Sequence, residues 1–107
     1  MNSQYKKGVL ELCVLSLLSK QDCYGYDVSE YLSKHIEIAD GTVYPILRKM
    51  KSDGFVTTYL SEESGGPPRK YYSLTKSGKE AYVNQKAEWL EFAETVGKLL
   101  EGESKSE

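Results

Sequence analysis

The chain has 107 residues, of which 39% are hydrophobic and 28% are charged, and its formal net charge is −2. A mass of 12.1 kDa allows one small domain with one hydrophobic core. The sequence has one histidine and two cysteines, without the spacing of metal ligands and without a nucleophile beside a base. These features argue against an enzyme or a metal sensor, and no cofactor is expected.

The sequence contains no pattern typical of a signal peptide or of a membrane span. Cys13 and Cys23 lack a CxxC spacing, so we interpret them as incidental thiols, with a redox pair as the alternative. We therefore expect a cytoplasmic protein without a membrane partner. Charge is unevenly distributed, because residues 64–79 carry only basic charges whereas acidic residues predominate after residue 79.

An almost continuous apolar run at residues 8–18 predicts a first helix that is buried on more than one side. A domain of this size cannot cover such a helix completely, so we expect a partner chain to cover Val9 and Leu12. A second, shorter helix is predicted at residues 24–32, with Val28, Tyr31 and Leu32 on its inner face. Its first amides and Tyr24 are candidates for a phosphate contact. For Tyr26, a place in the core is at least as consistent with the pattern.

The third predicted helix follows Asp40 and has an apolar inner side and a cationic outer side. Val43, Leu47 and Met50 recur at intervals of four and three residues, which places them on one face. Pro45 is tolerated only in the first turn, so the helix begins near Gly41 or Thr42. Such a helix suits the major groove of DNA, although an amphipathic surface helix is the default interpretation.

The outer side of this helix supplies the candidate base-reading residues. Arg48 can contact guanine with two hydrogen bonds, and Thr42 and Tyr44 can reach phosphate or a thymine methyl group. Packing in the core is the alternative role for Tyr44. Lys49 is expected to contact phosphate or solvent.

A change from helical to alternating periodicity after Gly54 predicts a β-hairpin with strands at residues 55–60 and 69–74. Gly65 and Gly66 allow the tip of the connecting loop to approach DNA closely. Arg69 and Lys70, at the start of the second strand, are candidates for phosphate or minor-groove contacts. Of the neighbouring Tyr71 and Tyr72, one is expected in the core.

A long final helix is predicted to begin near Thr75, with Ser77 and Glu80 also at the spacing of a capping box. Its apolar positions alternate at steps of three and four, which is the pattern of a coiled-coil seam interrupted by one glutamine. Trp89 is interpreted mainly as an anchor of a dimer interface. The seam residues are Tyr82, Gln85, Trp89, Phe92, Val96 and Leu99.

With these elements placed, the chain resembles the PadR family of bacterial transcriptional repressors, in its branch with a single short C-terminal helix. The resemblance depends on three blocks in the family's order and spacing: residues 24–26, residues 41–47, and residues 65–75 followed by Gly78. It implies a homodimer that binds an inverted-repeat operator and is released by a small molecule or a stress signal. It also suggests that a planar hydrophobic ligand could stack on Trp89 with Phe92 facing the first helix.

The predicted fold is mostly α with a small β-hairpin: a winged helix-turn-helix domain at residues 1–78 and a C-terminal dimerisation helix with a short polar tail at residues 79–107. The predicted function is sequence-specific binding of double-stranded DNA by a transcriptional regulator. The alternative is a winged-helix protein-interaction module without DNA binding. The cations Arg48, Lys49, Arg69 and Lys70 favour DNA.

Overall fold

The computed structural model describes residues 3–62 and 65–102, with side chains from residue 8 onward, and has four helices and three strands in this part of the chain. The predicted polar end of the tail, residues 103–107, lies outside the described residues. The elements in chain order are α1 (Ser3–Lys20), β1 (Cys23–Tyr24), α2 (Gly25–Ser33), α3 (Val43–Ser52), β2 (Val56–Ser61), β3 (Arg69–Leu74) and α4 (Lys76–Glu101). This order confirms the predicted winged helix-turn-helix fold.

The core lies where α1, α2 and α3 pack against one face of the sheet. Its fully buried side chains come from all three helices, among them Val14, Val28 and Leu47. The sheet contributes Val56, Tyr72 and Leu74. Within α2, Val28 and Leu32 are buried as predicted, but the prediction for Tyr31 was wrong. Its ring is 46% exposed and contacts the His35 ring instead, at 4.9 Å between centroids.

The sheet has one more strand than the sequence predicts, because β1 pairs with β3 on the side away from β2. Both pairings are antiparallel, and their register aligns Tyr24 with Tyr71 and Tyr71 with Tyr59. A two-residue strand carries no periodicity of its own, so it could not be recognised from the sequence. Its effect is to bring the start of α2 beside the wing, which is formed by β2, β3 and the loop between them.

Helix α3 ends as predicted at Gly54, which has a left-handed φ of +82°. The amide of Gly54 donates to the Lys51 carbonyl at 3.1 Å, and the amide of Phe55 donates to the Met50 carbonyl at 2.8 Å. This pair of bonds is a Schellman motif, in which glycine tolerates the left-handed backbone that other residues resist. The chain therefore leaves α3 sharply and enters β2 two residues later.

The start of α4 is fastened to this turn. Thr75 caps the helix as predicted, since its Oγ1 accepts from the Gly78 amide at 3.0 Å. The same oxygen donates to the Gly54 carbonyl at 2.7 Å, and the Thr75 amide donates to the Phe55 carbonyl at 3.0 Å. The alternative start at Ser77 was wrong, because Ser77 lies inside the first turn of α4. The end of α3 and the beginning of α4 thus share one hydrogen-bonded junction.

Helix α4 extends well beyond the domain that carries it. Its 26 residues correspond to about 39 Å of helix, and the molecule measures 63 × 29 × 21 Å. It packs against α1 near its start, where Tyr82 and Ser16 have side-chain oxygens 3.5 Å apart. Within residues 3–62 and 65–102, no helix combines the length and the apolarity needed to cross a membrane.

Gly78 should tolerate no larger residue. A β-carbon there would overlap the carbonyl oxygen of Phe55, whereas a β-carbon at Gly97 in the same helix would meet nothing within 4 Å. We expect Gly78→Ala to lower the free energy of unfolding by about 1–3 kcal/mol through steric overlap. Gly97→Ala should raise it by up to about 1 kcal/mol, as alanine does in an open helical position. Urea denaturation measures both free energies of unfolding. A Gly78→Ala variant as stable as the Gly97→Ala variant would contradict this geometry.

Candidate nucleic-acid interface

Helix α3 separates an apolar inner face from a polar outer face. Val43, Ile46, Leu47 and Met50 are buried, whereas Tyr44, Arg48, Lys49 and Lys51 are exposed. Thr42 occupies the N-cap position, but its side chain makes no capping hydrogen bond. The turn before the helix depends on Gly41, which has a φ of +83°. The outer face is therefore polar and open to solvent along the length of the helix.

Three elements form a cleft of about 320 Å³ beside this outer face. The start of α2 contributes Tyr24 and Tyr26, α3 contributes Tyr44 and Arg48, and the return strand of the wing contributes Lys70. We call these five residues the reading cleft. The largely buried Tyr72 and Gly25 complete the lining, so two cations and four tyrosines meet there, and none of the described carboxylates lines the cleft. This composition suits a phosphate backbone and base edges.

The exposed fractions of Tyr26 and Tyr44 show whether each side chain belongs to the core. Tyr26 is 55% exposed, so the expectation of a core role was wrong. Tyr44 is 37% exposed, and its ring also lies where a β-carbon on Gly25 would meet it at 3.4 Å. Partial burial, followed by the nearby Tyr24, raises the pKa of Tyr44. The shift reinforces the protonated state that a tyrosine hydroxyl ordinarily has at neutral pH, in which it can donate a hydrogen bond.

Lys49 lies on a different side of α3 from the reading cleft. Its ammonium group is 3.0 Å from Asp53 Oδ2 and 3.9 Å from Glu11 Oε2. The hydrogen bond to Asp53, and then the charge of Glu11, raise the pKa of Lys49. Lys51 also contacts its own domain, since its ammonium group donates to the Thr58 hydroxyl at 3.4 Å. The i,i+4 spacing shows Asp53 as a partner of Lys49, but periodicity could not show Glu11 or Thr58, because Glu11 belongs to α1 and Thr58 to β2.

Arg69 and Lys70 are adjacent in β3 and point to opposite faces of the wing. Lys70 lines the reading cleft, whereas the Arg69 guanidinium lies 4.8 Å from the centre of the Tyr24 ring on the outer face. At the wing tip, Gly65 has a φ of +81° and its amide donates to the Glu62 carbonyl at 2.9 Å. Gly66 is exposed, and a β-carbon on it would meet nothing within 4 Å. These two glycines therefore present backbone rather than side chains.

A second cleft, of about 290 Å³, lies between α1 and α4. Trp89, Leu12 and Gly8 line it together with Gln85 and Glu88. Tyr82 lies nearer the start of α4, beside Ser16. Val9, Phe92 and Val96 do not line this cleft: Val9 and Val96 are half-buried, and Phe92 is 66% exposed. The predicted seam is thus divided between a part that faces α1 and a part that faces solvent.

Helix α4 also carries apolar side chains that the predicted seam does not contain. Val83, Leu90 and Leu100 are 63%, 53% and 81% exposed, and the seam residue Leu99 is 62% exposed. Val83 and Leu90 are seven residues apart and share a face with the half-buried Gly97. This heptad spacing is the signal in the sequence that indicates the additional stripe. The apolar surface of α4 is therefore wider than one seam.

Neither cysteine has the environment of a reactive thiol. Both are free, and burial raises the pKa of Cys13 and of Cys23. A raised pKa keeps the thiol protonated and slows its oxidation. Among the described residues, no three histidine, cysteine or acidic side chains are grouped in a way that could hold a metal ion.

Comparison with known proteins identifies this arrangement. Residues 14–84 match the model of the transcriptional regulator PadR-like family. The chain belongs to the PadR-like family. A PadR-like transcriptional regulator from Bacillus cereus is 39% identical, with a TM-score of 0.85 over 94% of this chain and 99% of that one. A Streptococcus transcriptional regulator is 31% identical, with the same TM-score over 92% of this chain and 98% of that one.

The chain is also similar to the negative transcriptional regulator PadR of Bacillus subtilis, with 32% identity over 76 residues. These cover 67% of this chain and 42% of PadR, so this PadR-like regulator matches less than half of that relative's length. The family and fold are those of DNA-binding regulators of transcription, not of enzymes.

Proposed function

We propose that this PadR-like regulator is a repressor that binds an inverted-repeat operator as a homodimer. The observation that carries the proposal is the reading cleft, where Arg48 of α3 and Lys70 of the wing meet four tyrosines, with no carboxylate of the described chain in its lining. A net charge of −2 does not oppose DNA binding, because the local charge of the contact surface decides electrostatic attraction. The repressing role is supported by the similarity to a relative that is named a negative transcriptional regulator.

Within this proposal the residues have different roles. Arg48 enters the major groove with α3 and reads a base edge, and Thr42 and Tyr44 contact the groove nearer the start of the helix. Lys70 and Tyr24 contact phosphate. Gly65 and Gly66 bring the wing tip close to the neighbouring backbone. Lys49 and Arg69 have partners within the domain, so their contribution is smaller and mainly electrostatic.

The homodimer forms through α1 and α4. A monomer would expose Leu90, Phe92, Leu99 and Leu100 along one helix, each more than half accessible to water. Apolar surface concentrated in this way marks an interaction site in soluble proteins. A two-fold symmetric pair of α4 helices buries this surface and sets the distance between two reading clefts.

The proposal extends to release by a planar hydrophobic molecule at the cleft between α1 and α4. Trp89 offers an aromatic wall and Leu12 an aliphatic one, in a volume near the lower limit of ligand pockets. Phe92 is outside the cleft of one chain and can reach a ligand only at the dimer interface. A ligand releases DNA only if it binds the non-reading arrangement more tightly, and about 2 kcal/mol of difference lowers occupancy markedly.

Arg48→Ala should reduce discrimination between operator and random DNA by about 1–3 kcal/mol, the value of a good base contact. Lys70→Ala should weaken both duplexes alike and reduce the salt dependence of binding by roughly one counterion. Lys49→Ala is the charge-matched control: it removes the same charge from a side of α3 outside the reading cleft, so it should leave the specificity ratio unchanged and reduce the salt dependence less than Lys70→Ala. The measurement is fluorescence anisotropy at several salt concentrations, with a duplex that the wild-type protein selects from a random pool. An unchanged specificity ratio in Arg48→Ala would contradict its role.

Chromatography on immobilised heparin or duplex DNA separates this function from a protein-interaction module. Retention of the wild-type protein on heparin or duplex DNA, lost as salt increases, is expected of a DNA-binding regulator. A wild-type protein that shows no retention at low salt would contradict the proposed function.

The dimer should have about twice the chain mass of 12.1 kDa in light scattering at micromolar concentration. Phe92→Glu should dissociate it without unfolding the chain, since Phe92 is 66% exposed in the single chain. Leu60→Glu is the control, because Leu60 is similarly exposed, at 69%, but lies on the wing. A monomeric wild type, or dissociation by Leu60→Glu alone, would refute the proposed interface.

Planar hydrophobic dyes should quench the fluorescence of Trp89, the only tryptophan, with a saturable dependence on dye concentration. The same dyes should lower operator occupancy in the anisotropy assay. Saturable quenching without any loss of operator affinity would show a binding site that does not control DNA. Absence of quenching across a varied panel would leave Trp89 as an interface anchor.

A further inference from the structure

Three tyrosines lie side by side across the outer face of the sheet, away from the core. The register places Tyr71 of β3 opposite Tyr24 of β1 on one side and opposite Tyr59 of β2 on the other. Ring centroids are 6.2 Å apart between Tyr24 and Tyr71 and 5.7 Å apart between Tyr71 and Tyr59. The second pair is stacked, with 17° between the ring planes. We call Tyr24, Tyr71 and Tyr59 the tyrosine rung.

Both ends of the rung are held by a charged side chain. The Tyr59 hydroxyl donates to Asp22 Oδ2 at 2.7 Å. Asp22 directly precedes β1, so the Tyr59 side chain reaches from one outer strand across β3 to the other side of the sheet. At the other end, Arg69 lies over the Tyr24 ring. The two outer strands are therefore connected by side chains as well as by their separate hydrogen bonds to β3.

At the level of the tyrosine rung and beyond it, the inner face of the wing makes few contacts with the core. On its inner face, Val56 and Tyr72 are buried, but Leu60, further along β2, is 69% exposed. Its partner Lys70 is also exposed. The core thus ends before the level of Lys70, and a two-stranded ribbon without a packed face twists and bends readily. Contacts on the outer face then have the larger part in fixing its direction.

We propose that the tyrosine rung and Asp22 form a brace that sets the angle of the wing relative to α3, with Tyr59 and Asp22 as positioning residues. The brace holds Lys70 at the reading cleft before DNA arrives, so less conformational freedom is lost on binding. Its role in DNA affinity rests on the proposed function, whereas its effect on the wing of the free protein does not.

Hydrogen exchange in the free protein tests the brace without DNA. Tyr59→Phe keeps the ring and removes only the hydroxyl, and Asp22→Ala removes the acceptor. Each should accelerate exchange of the β2 and β3 amides by about threefold to tenfold, the range expected for one hydrogen bond. The double variant should exchange no faster than either single variant, because both remove the same bond. Asp22→Asn retains an acceptor oxygen and should restore most of the protection.

Tyr31→Phe is the matched control, since Tyr31 is 46% exposed and Tyr59 is 44% exposed, but Tyr31 lies on α2. In Tyr31→Phe, the wing amides should exchange at the same rate as in the wild type. Unchanged wing exchange in Tyr59→Phe and Asp22→Ala, or additive effects in the double variant, would overturn the brace.

DNA affinity is a second measurement, because loss of the brace and loss of the Asp22 charge should change the affinity in opposite directions. Asp22→Ala removes a negative charge, which by electrostatics alone would strengthen DNA binding. The brace predicts the reverse: a loss of about threefold or more in affinity for the selected duplex in both Asp22→Ala and Tyr59→Phe. Faster exchange with unchanged or increased affinity would overturn the positioning role. Failure of the wild type to bind any duplex would refute the proposed function and leave the exchange result as a separate test of the brace.

Discussion

The carbonyl oxygen of Phe55 is where the DNA-reading part of the molecule and its long C-terminal helix are joined. It accepts the Thr75 amide and occupies the space that a side chain on residue 78 would need. Because Gly54 ends α3 one residue earlier, the same few atoms fix the end of the reading helix and the start of α4. These contacts couple the orientation of α4 to that of α3.

The coupling between α3 and α4 gives a physical basis to the proposed regulation. Two reading helices in a dimer must match the spacing of two DNA half-sites, and that spacing tolerates little error. A helix of about 39 Å magnifies a small change in crossing angle into a displacement of several ångströms at its end. The ligand of this proposal would bind between α1 and α4 about two to three helical turns beyond the junction, where a small shift of α4 would change the distance between the two reading clefts.

Tyrosine is a recurring residue on the surface of the winged helix-turn-helix part. The chain has nine tyrosines, and four of them line the reading cleft while three form the rung, with Tyr24 in both. A phenol group can lie against apolar neighbours and still offer a hydroxyl to water, phosphate or a carboxylate. Tyr72 is buried and Tyr26 is exposed, although both belong to this same region. Residue type alone therefore says little about which role each tyrosine has.

The sequence was sufficient for the features that depend on local periodicity and on single residues with special backbone preferences. These include the inner face of α3, the stop at Gly54, the cap at Thr75 and the two long strands. It was insufficient where neighbours come from distant parts of the chain. The contact of Lys49 with Glu11, the stacking of Arg69 on Tyr24 and the bond between Asp22 and Tyr59 depend on tertiary packing. The place of Tyr31 was misjudged because a helix of nine residues has room for few inward positions.

The position of the tyrosine rung has a consequence for how this fold can vary. The rung lies at the level of Tyr59 and Tyr71, on the domain side of Lys70, and the loop begins only after Ser61. Lys70 is thus one residue nearer the loop than the rung, so a change in the loop reaches this cation before it reaches the rung. Exposed loop tips accept insertions at small thermodynamic cost. A longer or shorter wing tip would therefore change the position of Lys70, while the strands on the domain side of the rung keep their geometry.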